Sequence, residues 1–169
     1  MHSTASTVFL LALVCAAAYG DLRTRRIPNA LTVAGLVAGL GLRVPLGGGA
    51  VLDGLGGFAA ALALGIPFFA AGALGGGDVK LMAAVGAFTG WSGLAETLLA
   101  VALAGAGLAL LEAARRGVLV QVFANTGKLA LYCATLSRYG ARPQIGAQAA
   151  VSVPYGVAIA VGAIAGRLL

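Results

Sequence analysis

The sequence predicts an all-α membrane protein, a polytopic bundle of about six transmembrane helices forming one domain over 1–169. Three observations carry this. The chain is 60% hydrophobic and only 9% charged, whereas soluble domains hold about 25% charged residues, and its mean hydropathy is +1.00. A chain of 169 residues has too little interior to bury that much apolar surface in water, so lipid is the solvent that fits. Glycine is abundant, at 27 residues, which in a membrane suits helices that approach closely through small side chains. Gly35 and Gly39, Gly86 and Gly90, and Gly162 and Gly166 are each spaced to share one helix face.

Six apolar segments follow in order, at roughly 4–20, 28–43, 50–74, 79–95, 97–114 and 150–167. Each is near the ~20 residues that cross a bilayer core. The first resembles a signal peptide in length, with Ala16-Ala17-Ala18 as a cleavage-like site. Yet no Lys or Arg precedes it and three Arg follow it, the reverse of a secretory signal, so it reads as a membrane helix. The third carries Asp53 near its start and Pro67 inside it, which predicts a kink near Ile66. Trp91-Ser92-Gly93 separates the fourth from the fifth, because Gly and Ser punctuate and Trp favours the membrane interface. The stretch about 117–149 places Val118, Val122, Leu129 and Leu136 on one face and Gln121 and Lys128 on the other. It reads either as an interfacial amphipathic helix on the cytoplasmic leaflet or as a loop.

Charge sets the orientation. With the N-terminus outside, nine of the eleven Lys and Arg face the cytoplasm, and only Arg43 and Arg167 lie outside. The positive-inside rule therefore selects N-out, C-out. The net charge of +6 sits at the ends of apolar segments, so anionic lipid headgroups are the expected partner and nucleic acid is not. Cys15 and Cys133 form no CxxC pair and are expected to be inert buried thiols. Neither a metal nor a cofactor is expected.

Acidic residues are few: Asp21, Asp53, Asp78, Glu96 and Glu112. An ionisable group in a membrane segment needs a partner or a task. Asp53 and Glu96 fall at external helix ends, and Glu112 lies one turn before Arg115 and Arg116, as a surface ion pair would. Asp21 ends the first helix and Asp78 begins the fourth, so both reach the same cytoplasmic depth. Taken singly, Asp21 is explained by an ion pair with Arg25, and Asp78 by helix N-capping after Gly75-Gly76-Gly77. Those glycines also clear the approach to Asp78, permit dihedrals closed to other residues and admit another backbone.

As a pair the two carboxylates do more. At about 4 Å and an effective dielectric of ~20 they would repel by roughly 4 kcal/mol, so one holds a proton while the other stays ionised. That is the arrangement of aspartic proteases. Which member holds the proton belongs to the pair.

The motifs then become specific. Gly20-Asp21-Leu22-Arg23-Thr24-Arg25-Arg26-Ile27-Pro28-Asn29 resembles the first motif of type IV prepilin peptidases, an Asp followed by a basic stretch and I-P-N. Gly75-Gly76-Gly77-Asp78-Val79-Lys80 is similar to their G-x-G-D-x-K motif, and Pro154-Tyr155-Gly156-Val157-Ala158 to the P-Y-G-x-A block of short members. The resemblance covers nearly the whole chain. It implies a catalytic pair of Asp21 and Asp78, with Gly75, Gly77 and Lys80 in the active-site loop and motif. Lys80 would tune Asp78 or anchor its helix at the headgroups, the anchor being favoured.

The resemblance implies a bacterial inner-membrane protein whose substrates are prepilins, pilin-like precursors with a short basic leader cleaved after a Gly at the cytoplasmic face. Long members carry a cytoplasmic insert with two CxxC pairs and methylate the new N-terminus. This sequence has no such insert, which implies the short, peptidase-only type associated with Flp or tight-adherence pili. Presenilin-type G-x-G-D proteases differ in having a Tyr-Asp motif where this chain has Gly20-Asp21. The alternative outside proteolysis is a small carrier or proton-coupled assembly factor in which Asp21 and Asp78 relay protons or bind a cation. A carrier would place such groups near the bilayer midplane.

Overall fold

The computed structural model describes residues 4–70, 74–120 and 155–168. Among them every regular element is helical: α1 (Thr4–Thr24), α2 (Asn29–Gly41), a 3-10 turn (Val44–Leu46), α3 (Gly48–Ala70), α4 (Gly76–Arg115) and α5 (Tyr155–Leu168). Four stretches are long and apolar enough to cross a membrane: α1, α2 with its 3-10 turn, α3 and α4. A fifth helix, α5, is apolar but shorter. Large apolar side chains such as Val8, Phe9, Val37, Leu52, Phe68 and Leu103 are exposed, as lipid-facing residues are. The chain is an all-α membrane protein. The amphipathic segment expected at about 117–149 lies, from residue 121 on, outside the described residues.

The chain separates into two compact units, Met1–Gly105 with Pro154–Leu169, and Ala106–Val153. In the first, α1 packs against α2 and α5, and α2 against α3. The core joins Leu10, Leu13, Val14 and Ala17 of α1, Leu81, Ala84, Val85 and Phe88 of α4, and Ile159, Ala160 and Ala163 of α5. Each set recurs at three- and four-residue spacing, so each helix buries one stripe.

Close approach through glycine is the general packing device. Gly35 lies under Leu13, and Gly39 under Ala87 and Phe88. A Cβ on Gly57 would fall on the Gly86 carbonyl, and one on Gly162 on the Val101 backbone, while Gly166 faces Thr97. All three spaced glycine pairs therefore lie at helix contacts, as expected. On α3, the buried residues Gly54, Gly57, Ala61 and Gly65 form a further small-residue stripe. α3 runs through Pro67 as one helix to Ala70.

α4 is interrupted at Gly90 (φ 77, ψ 174), one residue before the break expected at Trp91-Ser92-Gly93. Positive φ is open to glycine and costly for other residues. Arg43 satisfies the carbonyls freed there, donating from Nε to Ala87 O (2.9 Å) and from Nη2 to Phe88 O (2.9 Å). Asp53 accepts the Ser92 N–H (3.2 Å) at the start of the second half. Arg43 Nη1 and Asp53 Oδ2 form a 2.8 Å ion pair.

The second unit is described over 106–120. There α4 ends at Arg115 and is closed by Gly117 (φ 68), with Val118 N–H bonded to Ala113 O and Gly117 N–H to Ala114 O. This double closure is a Schellman motif. Glu112 pairs with Arg116 at 2.7 Å, one turn on, as expected. The buried-thiol expectation for Cys15 is overturned: Cys15 is exposed, because the buried stripe of α1 runs through Leu10, Leu13, Val14 and Ala17 and Cys15 lies off it. Cys133 lies outside the described residues.

Candidate active site

The buried stripe of α1 does not stop at its apolar residues. It continues from Leu10, Val14 and Ala17 to Asp21, which is 8% exposed. One helix face thus carries a carboxylate into the bundle interior, one turn before α1 ends. Asp21 Oδ2 accepts the Gly156 N–H at 2.8 Å, from the first turn of α5.

Asp78 is the third residue of α4 and half-buried. Its Oδ2 accepts the Gly75 N–H at 3.1 Å. The contact is one half of a capping box, in which the third helical residue reaches back to the cap N–H. Its charge also suits the positive end of the helix dipole. The N-capping expected for Asp78 is therefore corrected in register: Gly75 occupies the cap position and Asp78 supports it from within the helix. Asp78 leads the stripe Leu81, Val85 and Phe88, so it too heads a core-facing row.

The segments bearing the two carboxylates are in direct contact. Gly77 lies against Ile27, where an added Cβ would stand 3.2 Å from the Ile27 Cβ and 3.6 Å from its backbone N and O. Lys80 Nζ donates to Asn29 Oδ1 at 2.9 Å. Asp21 and Asp78 lie within electrostatic reach of one another. The structure thus brings Asp21, Asp78, Gly75, Gly77 and Lys80 to one end of the first unit.

Three expectations change in detail. Lys80 is bonded across to Asn29 of the I-P-N segment, which neither tuning of Asp78 nor headgroup anchoring anticipates. The glycines before Asp78 do not serve dihedral freedom, since none of Gly75, Gly76 and Gly77 has positive φ. They serve space: a Cβ on Gly75 would stand 2.9 Å from Asp78 Oδ2. The backbone admitted beside Gly77 is the chain's own, at Ile27.

Tyr155 and Gly156 were legible only as a motif, with no partner in view. The Tyr155 ring packs on Gly105, where a Cβ would stand 3.1 Å from the phenol oxygen, and its phenol lies within electrostatic reach of Asp78. No group of three or more metal-ligating side chains occurs among the described residues. Two carboxylates in a partly dehydrated, backbone-lined niche can divide one proton between them and act on a polar bond held alongside.

Comparison with known proteins identifies the family. A prepilin leader peptidase/N-methyltransferase of Myxococcus xanthus (strain DK1622) is 36% identical over 109 residues, which is 60% of this chain and 32% of that protein. The chain thus spans about a third of the length of that relative. No solved structure matches. The model of the type IV leader peptidase family matches residues 8–110, a stretch that holds both aspartates and the contacts between their segments, and the chain belongs to that family.

Proposed function

We propose that this chain is an aspartic endopeptidase of the bacterial inner membrane, cleaving the short basic leader of Flp-like prepilins after a Gly at the cytoplasmic face. The observation that carries this reading is the meeting of Asp21 and Asp78 from two apolar helices at one end of the bundle, in a member of the type IV leader peptidase family. Counting the halves of α4 separately gives six apolar segments, with N- and C-termini outside and the aspartates on the cytoplasmic side. The segment about 117–149 belongs to that side too, within one prepilin-peptidase domain.

In this reading the ionised carboxylate of the pair takes a proton from a water molecule as its oxygen attacks the scissile carbonyl carbon. The protonated carboxyl donates to the carbonyl oxygen, which becomes the hydroxyl of a tetrahedral diol. Collapse of the diol breaks the C–N bond: the proton gained from water passes to the leaving amine, and one diol hydroxyl returns its proton to the carboxylate that had donated to the carbonyl oxygen. The pair returns with one proton shared, and no metal or cofactor is required. Gly75 leaves room for the Asp78 carboxylate and Gly77 for the close approach of Ile27, and Lys80 holds the two motif segments together through Asn29. Peptide cleavage without methyl transfer is the expected activity.

The test is cleavage of a pilin-like precursor in membranes by Asp21→Asn and Asp78→Asn chains at matched expression. Asn keeps the size and the accepting oxygen that meets the Gly156 or Gly75 N–H, so both variants should insert normally. Each should lose at least about a hundredfold in rate, the usual share of general acid–base catalysis. The double variant should be no worse than either single, because members of one catalytic unit are not additive. Full cleavage by either single variant would exclude the pair and leave a structural or proton-relay role.

A further inference from the structure

The first turn of α5 supplies something that the two aspartate motifs do not. Gly156 meets Asp21 in two ways: its N–H donates to Asp21 Oδ2 at 2.8 Å, and its missing side chain leaves the space that Asp21 fills. A Cβ on Gly156 would stand 2.9 Å from Asp21 Oδ2, 3.0 Å from its Cβ and 3.2 Å from its Cγ. The crowding involves the root of the Asp21 side chain as well as its tip, so a rotation of the carboxylate alone cannot relieve it. Asp21 itself is buried in the α1 stripe and has little freedom to retreat.

The neighbouring Tyr155 seats this turn on α4. Its phenol lies within electrostatic reach of Asp78 and its ring is seated on Gly105. The dipeptide at the start of α5 therefore holds Asp21 through a backbone hydrogen bond and is itself seated on α4 through the Tyr155 ring at Gly105. Below it, Ile159, Ala160 and Ala163 lock α5 into the core shared with α1 and α4. The family match ends at residue 110, so this third strut is contributed by a part of the chain beyond it.

We propose that Gly156 is a positioning residue of the protease: its N–H and its lack of a side chain fix the Asp21 carboxylate in the orientation that faces Asp78. The proposal rests on the catalytic reading of Asp21 and Asp78 given above. It makes the N-terminal turn of α5 a working part of the site, beyond its role as a packed helix end.

The experiment uses the full chain in membranes and a synthetic probe, a peptide with a short basic leader, a Gly and an apolar helix. Gly156→Ala should lower kcat at least tenfold, with KM for the probe within about twofold, since Gly156 acts on the carboxylate and not on the peptide. Gly166→Ala, which crowds Thr97 near the other end of α5, should lower thermal stability and leave kcat per folded enzyme unchanged. A second reading is independent of activity. In an Asp21→Ala chain the space beside residue 156 opens, so adding Gly156→Ala should cost much less in melting temperature than it costs the native chain.

If Gly156→Ala fails to fold in the native background, it should fold in the Asp21→Ala background. Failure in both overturns the proposal, as does an equal melting-temperature loss in both. Wild-type kcat and KM for Gly156→Ala, with Asp21→Asn inactive, sink the proposal and leave the protease reading standing. An active Asp21→Asn sinks that reading instead, and the proposal with it.

Discussion

Arg43 and Asp53 form a 2.8 Å ion pair across the point where α4 breaks, and between them they replace the hydrogen bonds that the break removes. Arg43 is the more enclosed partner, with its side chain 12% exposed against 30% for Asp53. Its guanidinium also reaches Ala50 O, Ala87 O and Phe88 O, tying the start of α3 to the last turn before Gly90. The carboxylate holds the Ser92 N–H on the far side of Gly90. No side chain fits at Gly90, since a Cβ there would fall on the Asp53 carboxylate.

This clamp predicts a stability effect remote from the aspartates. Arg43→Ala leaves the Ala87 and Phe88 carbonyls and the Asp53 charge without their donor, and should cost roughly 1–3 kcal/mol, the penalty for stranding enclosed polar groups. Arg43→Lys should recover little, because an ammonium cannot present a planar fork to several acceptors at once. Asp53→Asn should cost less, since Asn still accepts from Ser92 and Asp53 is partly solvated. Thermal unfolding in detergent, read beside cleavage per folded enzyme, checks this. Unaltered stability in Arg43→Ala would remove the clamp from the account.

Asp53 shows where sequence reading stopped. Its position at an external helix end was legible from hydropathy and charge, and so was Arg43 on the same side. Their pairing was not, because it depends on Gly90 breaking α4 between two residues that each look unremarkable. By contrast, Asp21 and Asp78 could be matched, since both sit at ends of apolar segments on one side and both belong to recognisable motifs. The Asp21–Gly156 contact spans 135 positions, and nothing local in either segment announces it. The extension of the α1 stripe from Leu10, Val14 and Ala17 to Asp21 was available as a spacing signal. The link from Lys80 to Asn29 was also in view as two motif residues, but only the parallel course of α2 and the start of α4 brings them together. Fold class came from composition. The register of the Gly75–Asp78 cap came only from the backbone.

The proposed orientation carries its own test. An alkaline phosphatase domain, active only outside the cytoplasm, should be active when fused after Gly47 and inactive when fused after Arg142. Nine of the eleven basic residues face the cytoplasm in this topology, which is the ground for the expectation. The reverse pattern would put Asp21 and Asp78 outside, away from a basic leader that is still cytoplasmic.

The three glycines before Asp78 should respond to alanine in three different ways, because each faces a different neighbour. At Gly75 the added Cβ meets the tip of the Asp78 side chain, 2.9 Å from Oδ2. A carboxylate tip can rotate aside, so folding should survive with little change in melting temperature. The rotation takes Asp78 off the Gly75 N–H, however, and cleavage should fall about tenfold or more, a barrier increase of about 1.4 kcal/mol. At Gly77 the neighbour is the Ile27 Cβ at 3.2 Å with backbone behind it. That contact must open by a few tenths of an ångström, so Gly77→Ala should lose about 1–3 kcal/mol of stability through overpacking, with activity declining alongside. At Gly76 the nearest atom is the Phe69 ring at 3.4 Å, an ordinary packing distance. With no positive φ at this position, Gly76→Ala should be neutral or gain about 0.4–1 kcal/mol from the reduced freedom of the unfolded chain. The discriminating measurement is the ratio of cleavage rate to folded fraction for the three variants. A uniform response would mean that the glycines act as a flexible stretch, and the separate contacts to Asp78 and Ile27 would lose their assigned roles.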